Sequence, residues 1–122
     1  MRPERRRAWP AALGLGIAVA IATASALGAD ADLGQKVFAE RCAPCHGETG
    51  GGDGPAAAAL SPKPRNFRDP DFWRGRTAVQ LELVVKNGKP GTLMAPFAGA
   101  LSDAEIHAVV GYLQQTFRPQ SH

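Results

Sequence analysis

The sequence predicts an all-α fold of about three main helices joined by long irregular loops. Three observations carry that reading. Two capping boxes each head a run of apolar residues at helical spacing, no stretch alternates as a strand would, and the pentapeptide Cys42-Ala43-Pro44-Cys45-His46 interrupts the first long loop at its start.

The N-terminus MRPERRR, followed by Ala8 to Ala29 with almost no polar side chains, has the basic and apolar regions of a secretory signal. Residues 1–28 are read as a cleavable leader and residues 29–122 as one domain. Small residues permit cleavage after Gly28, after Ala26 or after Ala31. An uncleaved membrane anchor is the competing reading, since Ala8 to Ala29 spans 22 positions, against about 20 apolar residues for a transmembrane helix. Alanine and glycine dominate the stretch, however, and Pro10, Thr23 and Ser25 dilute it.

The first helix is expected over Leu33 to Cys42, starting behind Asp32 as N-cap, with Val37 and Phe38 on one face and Gly34 one turn earlier. The second starts at Thr77, where Thr77 and Gln80 form a capping box, and runs through Val79, Leu83 and Val84 to a stop at Asn87-Gly88. The third starts at Ser102, in the capping box Ser102-Asp103-Ala104-Glu105. It carries Ile106, Val109, Val110, Leu113 and Phe117 at helical spacing, and Pro119 marks its end. Between the first two helices, His46 to Arg76 holds three successive glycines at 50–52 and prolines at 55, 62, 64 and 70. A loop of that length belongs in a compact domain only if a ligand organises it.

The pentapeptide names the ligand. C-x-x-C-H is the covalent attachment signature of a c-type haem: two thiols about one helical turn apart form thioethers, and the adjoining His46 falls under the iron. Cys42 and Cys45 are the only cysteines, so the motif uses both. A redox dithiol would need a preceding strand and a βαβ context, which the sequence lacks. A zinc site would have to join Cys42, Cys45 and His46 to the distant His107, an awkward tetrahedron with a His directly beside a Cys. A domain of about 94 residues buries a limited core, so a porphyrin acting as core predicts a poorly folded haem-free chain.

The second axial ligand decides whether such a haem carries electrons or binds small molecules. Met94, in Gly91-Thr92-Leu93-Met94-Ala95-Pro96-Phe97, is the only methionine outside the leader, 48 residues beyond His46. A lone methionine is ordinarily core filling; the upstream motif makes it the favoured ligand. His107 is the rival, although its place beside Val109 and Val110 suits an edge or surface histidine, and His122 lies at the terminus.

Over essentially all of residues 29–122 the chain resembles the class I c-type cytochromes of the bacterial single-haem type. The resemblance rests on Gly34 and Phe38, on Cys42-Ala43-Pro44-Cys45-His46-Gly47, on Gly54-Pro55, on Met94 in its proline-containing loop and on Gly111-Tyr112-Leu113. It implies a cytochrome c fold whose first and last helices cross near Gly34 and Tyr112. It also implies that the Pro55 carbonyl accepts from His46 Nδ1, that Leu60 packs on the ring, and that Arg65 and Trp73 contact the propionates. A solvated Arg65 and a core Trp73 are the plainer alternatives. One departure is Ala95, where many relatives have proline directly after the methionine; it leaves the loop less rigid.

The function implied is periplasmic electron transfer by one haem c with His46/Met94 ligation, in a free carrier, a monomer, or a haem subunit of a respiratory oxidoreductase complex; it is not an enzyme. The partners implied are haem or copper proteins or a membrane oxidoreductase, met through a small transient interface, with membrane attachment only if the leader is kept. A haem enzyme or gas-binding sensor with an open distal iron is the alternative, and no distal His or Arg constellation is dedicated to it. The charge is no evidence for nucleic-acid binding, and no nucleic-acid partner is expected. The net +3 of the whole chain comes from Arg2, Arg5, Arg6 and Arg7 against Glu4, which leaves 10 basic and 10 acidic side chains after residue 28. The bases cluster locally, at Lys63, Arg65, Arg68, Arg74, Arg76, Lys86 and Lys89. They form either a solvated rim with some propionate contacts or a docking patch for an acidic partner.

Overall fold

A computed structural model describes Ala8 and residues 15–121, with side chains from residue 26 onward. The basic segment of the expected leader and His122 lie outside the described residues. In order come α1 (Leu15–Val37), a π turn (Phe38–Cys42), α2 (Ala43–His46), a 3-10 turn (Ala57–Ala59), α3 (Pro70–Trp73), α4 (Ala78–Asn87) and α5 (Asp103–Phe117). Among the described residues there is no strand. The all-α expectation therefore holds.

The largest departure is at the start. The first helix does not begin behind an Asp32 cap; it is continuous from Leu15 through the expected boundary at residue 28. Ala and Leu are strong helix formers and no proline interrupts residues 15–43, so nothing in the backbone stops the helix before the motif. Among the described residues no helix is long and apolar enough to cross a membrane. By contrast, α4 and α5 start where their caps place them. Thr77 Oγ1 accepts from Gln80 N–H while Gln80 Oε1 accepts from Thr77 N–H, and Ser102 and Glu105 repeat the exchange.

Ile106, Val109, Val110 and Leu113 form the buried stripe of α5, in one cluster with Val37 of α1, Phe38 of the π turn and Leu81 and Val85 of α4. The predicted crossing of α1 and α5 is present. A Cβ at Gly34 would run into the Ala108 carbonyl oxygen and come within 2.8 Å of Tyr112 Cβ, so only glycine lets the two backbones approach this closely. Lys86 Nζ meets Asp103 Oδ1 at 2.8 Å and ties the end of α4 to the start of α5. On α4 the buried residues are Leu81 and Val85, whereas Val79, Leu83 and Val84 are exposed. The loop before α4 is less bare than expected: Asp69 caps the short α3 by accepting from Asp71 N–H, and α3 sends Phe72 and Trp73 into the core.

Candidate haem-binding site

The chain is widened just before the motif. In the π turn the Ala43 N–H donates to the Phe38 carbonyl, five residues back, a wider ring than the α-helix closes and a feature often found at functional sites. Cys42, Cys45 and His46 then share the single turn that ends at Gly47, whose φ of 84° reverses the chain. All four carbonyls of that turn are satisfied. Ala43, Pro44, Cys45 and His46 accept from the N–H groups of Gly47, Ala56, Gly54 and Gly52 at 2.8, 2.9, 3.0 and 2.7 Å. This backbone clasp requires glycine at 54, where a Cβ would strike the carbonyl oxygens of Ala43 and Pro44. Gly47, Gly52 and Gly54 of the long loop are thus part of the clamp on the motif.

The donor set suits a c-type haem. Both thiols are free and half-buried. Burial, with Cys45 beside it, pushes the Cys42 thiol up to about 11, the reverse of the lowered value that a redox dithiol uses. The zinc reading finds no support, since among the described residues no group of three or more His, Cys, Asp or Glu side chains converges as a metal site would; His107 instead pairs with Glu82 of α4, Nδ1 donating to Oε1 at 2.8 Å. His46 is half-buried, and burial holds its pKa below the ordinary histidine value despite a bond to backbone that acts the other way. Its Nδ1 lies 3.1 Å from the Arg65 carbonyl oxygen. A carbonyl can only accept, so Nδ1 carries the proton and the Nε2 lone pair remains for a metal.

That bond corrects an expectation: the carbonyl on His46 Nδ1 belongs to Arg65, not to Pro55. The clasp accounts for the difference, because Gly54 and Ala56 bond the motif through their N–H groups and hold exposed Pro55 between them. The His46 ring instead stacks on Phe67, with centroids 4.4 Å apart and planes 14° from parallel. Trp73 is core, 5 % exposed, and donates Nε1–H to the Phe67 carbonyl at 2.8 Å; its donor is committed there and not to a propionate. Leu60 is half-buried just after the 3-10 turn.

Met94 is half-buried against the edge of the core, in a loop hung from the end of α4. Phe97 N–H donates to Val85 O at 3.0 Å, Ala98 N–H to Lys86 O at 3.2 Å and Lys89 N–H to Met94 O at 3.1 Å. Thr92 Oγ1 braces the turn, donating to Lys89 O at 2.7 Å and accepting from Met94 N–H at 3.2 Å. Gly88, with φ of 69°, lies so close beneath that a Cβ would come within 2.6 Å of Met94 O. Sequence reasoning missed Phe67 and Thr92. An aromatic in a proline-rich loop and a threonine in a turn carry no periodic signal.

The sequence pattern of the Cytochrome c family matches residues 31–117. Among curated proteins, the chain is 36% identical over 83 residues to a dihydro-heme d1 dehydrogenase of Pseudomonas aeruginosa, covering 67% of this chain and 15% of that protein. It is 34% identical over 89 residues to the Cbb3-type cytochrome c oxidase subunit FixP of Azorhizobium caulinodans, covering 66% of this chain and 27% of that one. The chain thus spans well under a third of either relative. Among solved structures, the reducing HAO-like protein complex Kustc0457/Kustc0458 of Kuenenia stuttgartiensis superposes with a TM-score of 0.60 at 30% identity, over 74% of this chain and 47% of that one. The c-type cytochrome NirC superposes with a TM-score of 0.51 at 25% identity, over 70% and 91%.

Proposed function

The chain belongs to the cytochrome c family, and from that premise we propose that it is a periplasmic electron-transfer protein whose single haem iron is held by His46 and Met94. Members of the family bind haem c covalently, and Cys42 and Cys45 form the attachment pair. When bound, the haem supplies one-electron chemistry, Fe(III) to Fe(II) and back. The chain supplies the rest. Its clasp holds His46 with a neutral, oriented imidazole, and the α4 loop offers a thioether, a poorer donor than a second imidazole and one that favours the ferrous state. The observation that carries the reading is this pairing of a clasped Cys42–His46 turn with a braced Met94 loop.

Residues 1–28 are, in this reading, an export leader that takes the chain to the compartment where such haems are attached. The partners are redox proteins, and the chain acts as a carrier or as the haem subunit of a larger oxidoreductase. The names of its relatives, an oxidase subunit and a complex, support the subunit role. Residues 63–89 hold seven basic against three acidic side chains, whereas residues 29–62 and 90–122 together hold three against seven. That asymmetry favours an acidic partner. Reversing Arg74 and Lys89 should then slow electron transfer and flatten its dependence on ionic strength; rates indifferent to salt in the parent protein would remove the docking role.

The test of function is the visible spectrum of the exported, haem-loaded protein, oxidised and reduced, with and without carbon monoxide. A methionine-to-iron charge-transfer band and no response to carbon monoxide are expected. A large shift on adding the gas would mean an open iron and would put the gas-binding or enzymatic reading ahead.

A further inference from the structure

Phe67 is the only buried residue of the segment 61–70, with exposed Asn66 and Arg68 on either side. Its backbone is fully committed. The Phe67 N–H donates to Gly50 O at 2.7 Å and Gly50 N–H donates to Gly47 O at 3.0 Å, so Phe67 hangs two hydrogen bonds from the end of the motif turn. The Phe67 carbonyl accepts from Trp73 Nε1 at 2.8 Å. Around it the chain closes into a turn, in which Arg68 N–H donates to Asn66 Oδ1 at 2.9 Å and Asp69 N–H to Asn66 O at 3.2 Å. A buried aromatic in an exposed loop ordinarily does no more than anchor it.

The ring contacts of Phe67 go beyond anchorage. Phe72 and Phe117 lie tilted against it, at 59° and 32°, with centroids 5.1 and 6.0 Å away. Both are themselves held. Phe72 lies under the Arg76 and Arg65 guanidinium groups, 4.4 and 5.7 Å from its centroid, and Phe117 packs on Phe38 with centroids 5.4 Å apart. Among the described aromatic contacts of Phe67, the one with His46 alone is face to face, 14° from parallel at 4.4 Å. Phe67 is thus a fixed plate with the imidazole laid flat on it. Segment 65–67 meets His46 twice, since its Arg65 carbonyl lies 3.1 Å from Nδ1. The two restraints differ in kind. One hydrogen bond sets where Nδ1–H points and leaves the ring free to tilt about that line; a rigid ring on its face removes the tilt.

We propose that Phe67 is a positioning residue for the haem ligand: it fixes the plane of the His46 imidazole and keeps Nδ1–H on the Arg65 carbonyl. The proposal rests on the haem reading above. A hydrogen bond at Nδ1 makes an imidazole a stronger donor through Nε2, and a stronger donor favours ferric over ferrous iron. Without the plate the ring tilts, the bond to the carbonyl is made only part of the time, and the potential rises.

The experiment compares the haem-loaded protein with Phe67→Leu, Phe67→Tyr and Phe72→Leu, with covalent haem content and melting temperature measured on each. The readouts are a spectroelectrochemical titration near neutral pH and the paramagnetic proton spectrum of the ferric protein, in which the spread of the haem methyl shifts follows the imidazole plane. Phe67→Leu keeps apolar bulk and both backbone bonds and loses the flat face; Phe67→Tyr keeps the face. Phe72 is the control, as deeply buried as Phe67 (5 against 6 % exposed) and paired with Phe67 and Trp73 but not with His46. For Phe67→Leu the ferrous-to-ferric ratio at fixed potential should rise about two- to fivefold, within the worth of one hydrogen bond, and the methyl shifts should move. Phe67→Tyr should stay with the parent in both. Phe72→Leu should melt lower, as Phe67→Leu does, with the parent's shifts and potential. Should Phe67→Leu load no haem, Phe67→Met carries the same test with less loss of volume. Loaded Phe67→Leu with the parent's shifts and potential would overturn the positioning role and leave the function intact, as would equal changes in Phe67→Leu and Phe72→Leu, which would reduce Phe67 to core packing. A parent chain without covalent haem would overturn the function itself, and the positioning role with it.

Discussion

The two segments proposed to hold the iron are built in opposite ways. On the Cys42–His46 side, attachment residues and proposed ligand share one turn, and the carbonyls of residues 43–46 are each bonded from an N–H at most twelve residues downstream. On the Met94 side, the proposed ligand rides on a loop whose backbone hydrogen bonds to the rest of the fold, among the described residues, run to the end of α4. A short-range clasp can form as soon as the chain turns at Gly47, whereas the methionine loop depends on α4 being docked on α5. The first face is therefore expected to be hard to alter without unfolding, and the second to open while the fold persists.

The comparison breaks most completely if the covalent face is removed. Cys42→Ala with Cys45→Ala deletes attachment and leaves a core in which Met94 and His46 are only half-covered. The variant should lose most of its helical circular dichroism at 25 °C, because a domain this small has little apolar area to spare. Near-native ellipticity without haem would show that the helices α1, α4 and α5 suffice.

A matched pair of glycine substitutions separates the faces. Gly54→Ala drives a methyl into the carbonyls of Ala43 and Pro44 and should cost about 2–4 kcal/mol of stability, with methionine ligation kept in the molecules that fold. Gly88→Ala meets a positive φ as well as Met94 O and the Pro96 nitrogen, and should cost about 1–3 kcal/mol. Its signature is different: loss of the charge-transfer band and a new response to carbon monoxide in a protein that still melts cooperatively. If both variants kept the band, the Met94 loop would be as rigid as the clasp. Thr92→Val is the gentler version, removing the two Oγ1 bonds that brace Met94 for about 1 kcal/mol. It should show as faster carbon monoxide binding to the reduced protein, with the melting temperature little changed.

What the residues disclosed follows the same division. The capping boxes at Thr77 and Ser102 and the stripe from Ile106 to Leu113 were legible because each is satisfied within a few residues or repeats with the helical period. Cys42, Cys45 and His46 stand out because a C-x-x-C-H motif needs them adjacent. The start of α1 was misjudged because Asp32 resembles a cap, while the alanine-rich segment before it continues the helix. The partner of His46 was misjudged for another reason. Pro55 and Arg65 both offer carbonyls in the same glycine- and proline-rich loop, and only its three-dimensional path decides between them. The commitment of Trp73 to Phe67 O and the convergence of Arg65 and Arg76 on Phe72 are likewise products of that path.

The smallest effect is expected at the start of α5. Hydrogen bonds from the Ser102 backbone and hydroxyl hold Glu105 below the usual carboxylate range. A carboxyl whose pKa is lower in the folded than in the unfolded chain contributes stability above the unfolded value of about 4.5; that contribution is lost as the pH falls through the folded value. Glu105→Gln keeps an acceptor for the Ser102 N–H, so the box survives while its acid sensitivity disappears. Thermal melts between pH 3 and pH 6 should therefore converge for parent and variant at the acid end and differ slightly above it, with the spectrum of the iron unchanged throughout. A change in methionine ligation in this variant would mean that the α5 cap reaches the distal loop through the Lys86–Asp103 pair. The Met94 face would then be held by the whole α4–α5 frame and not by its own turn.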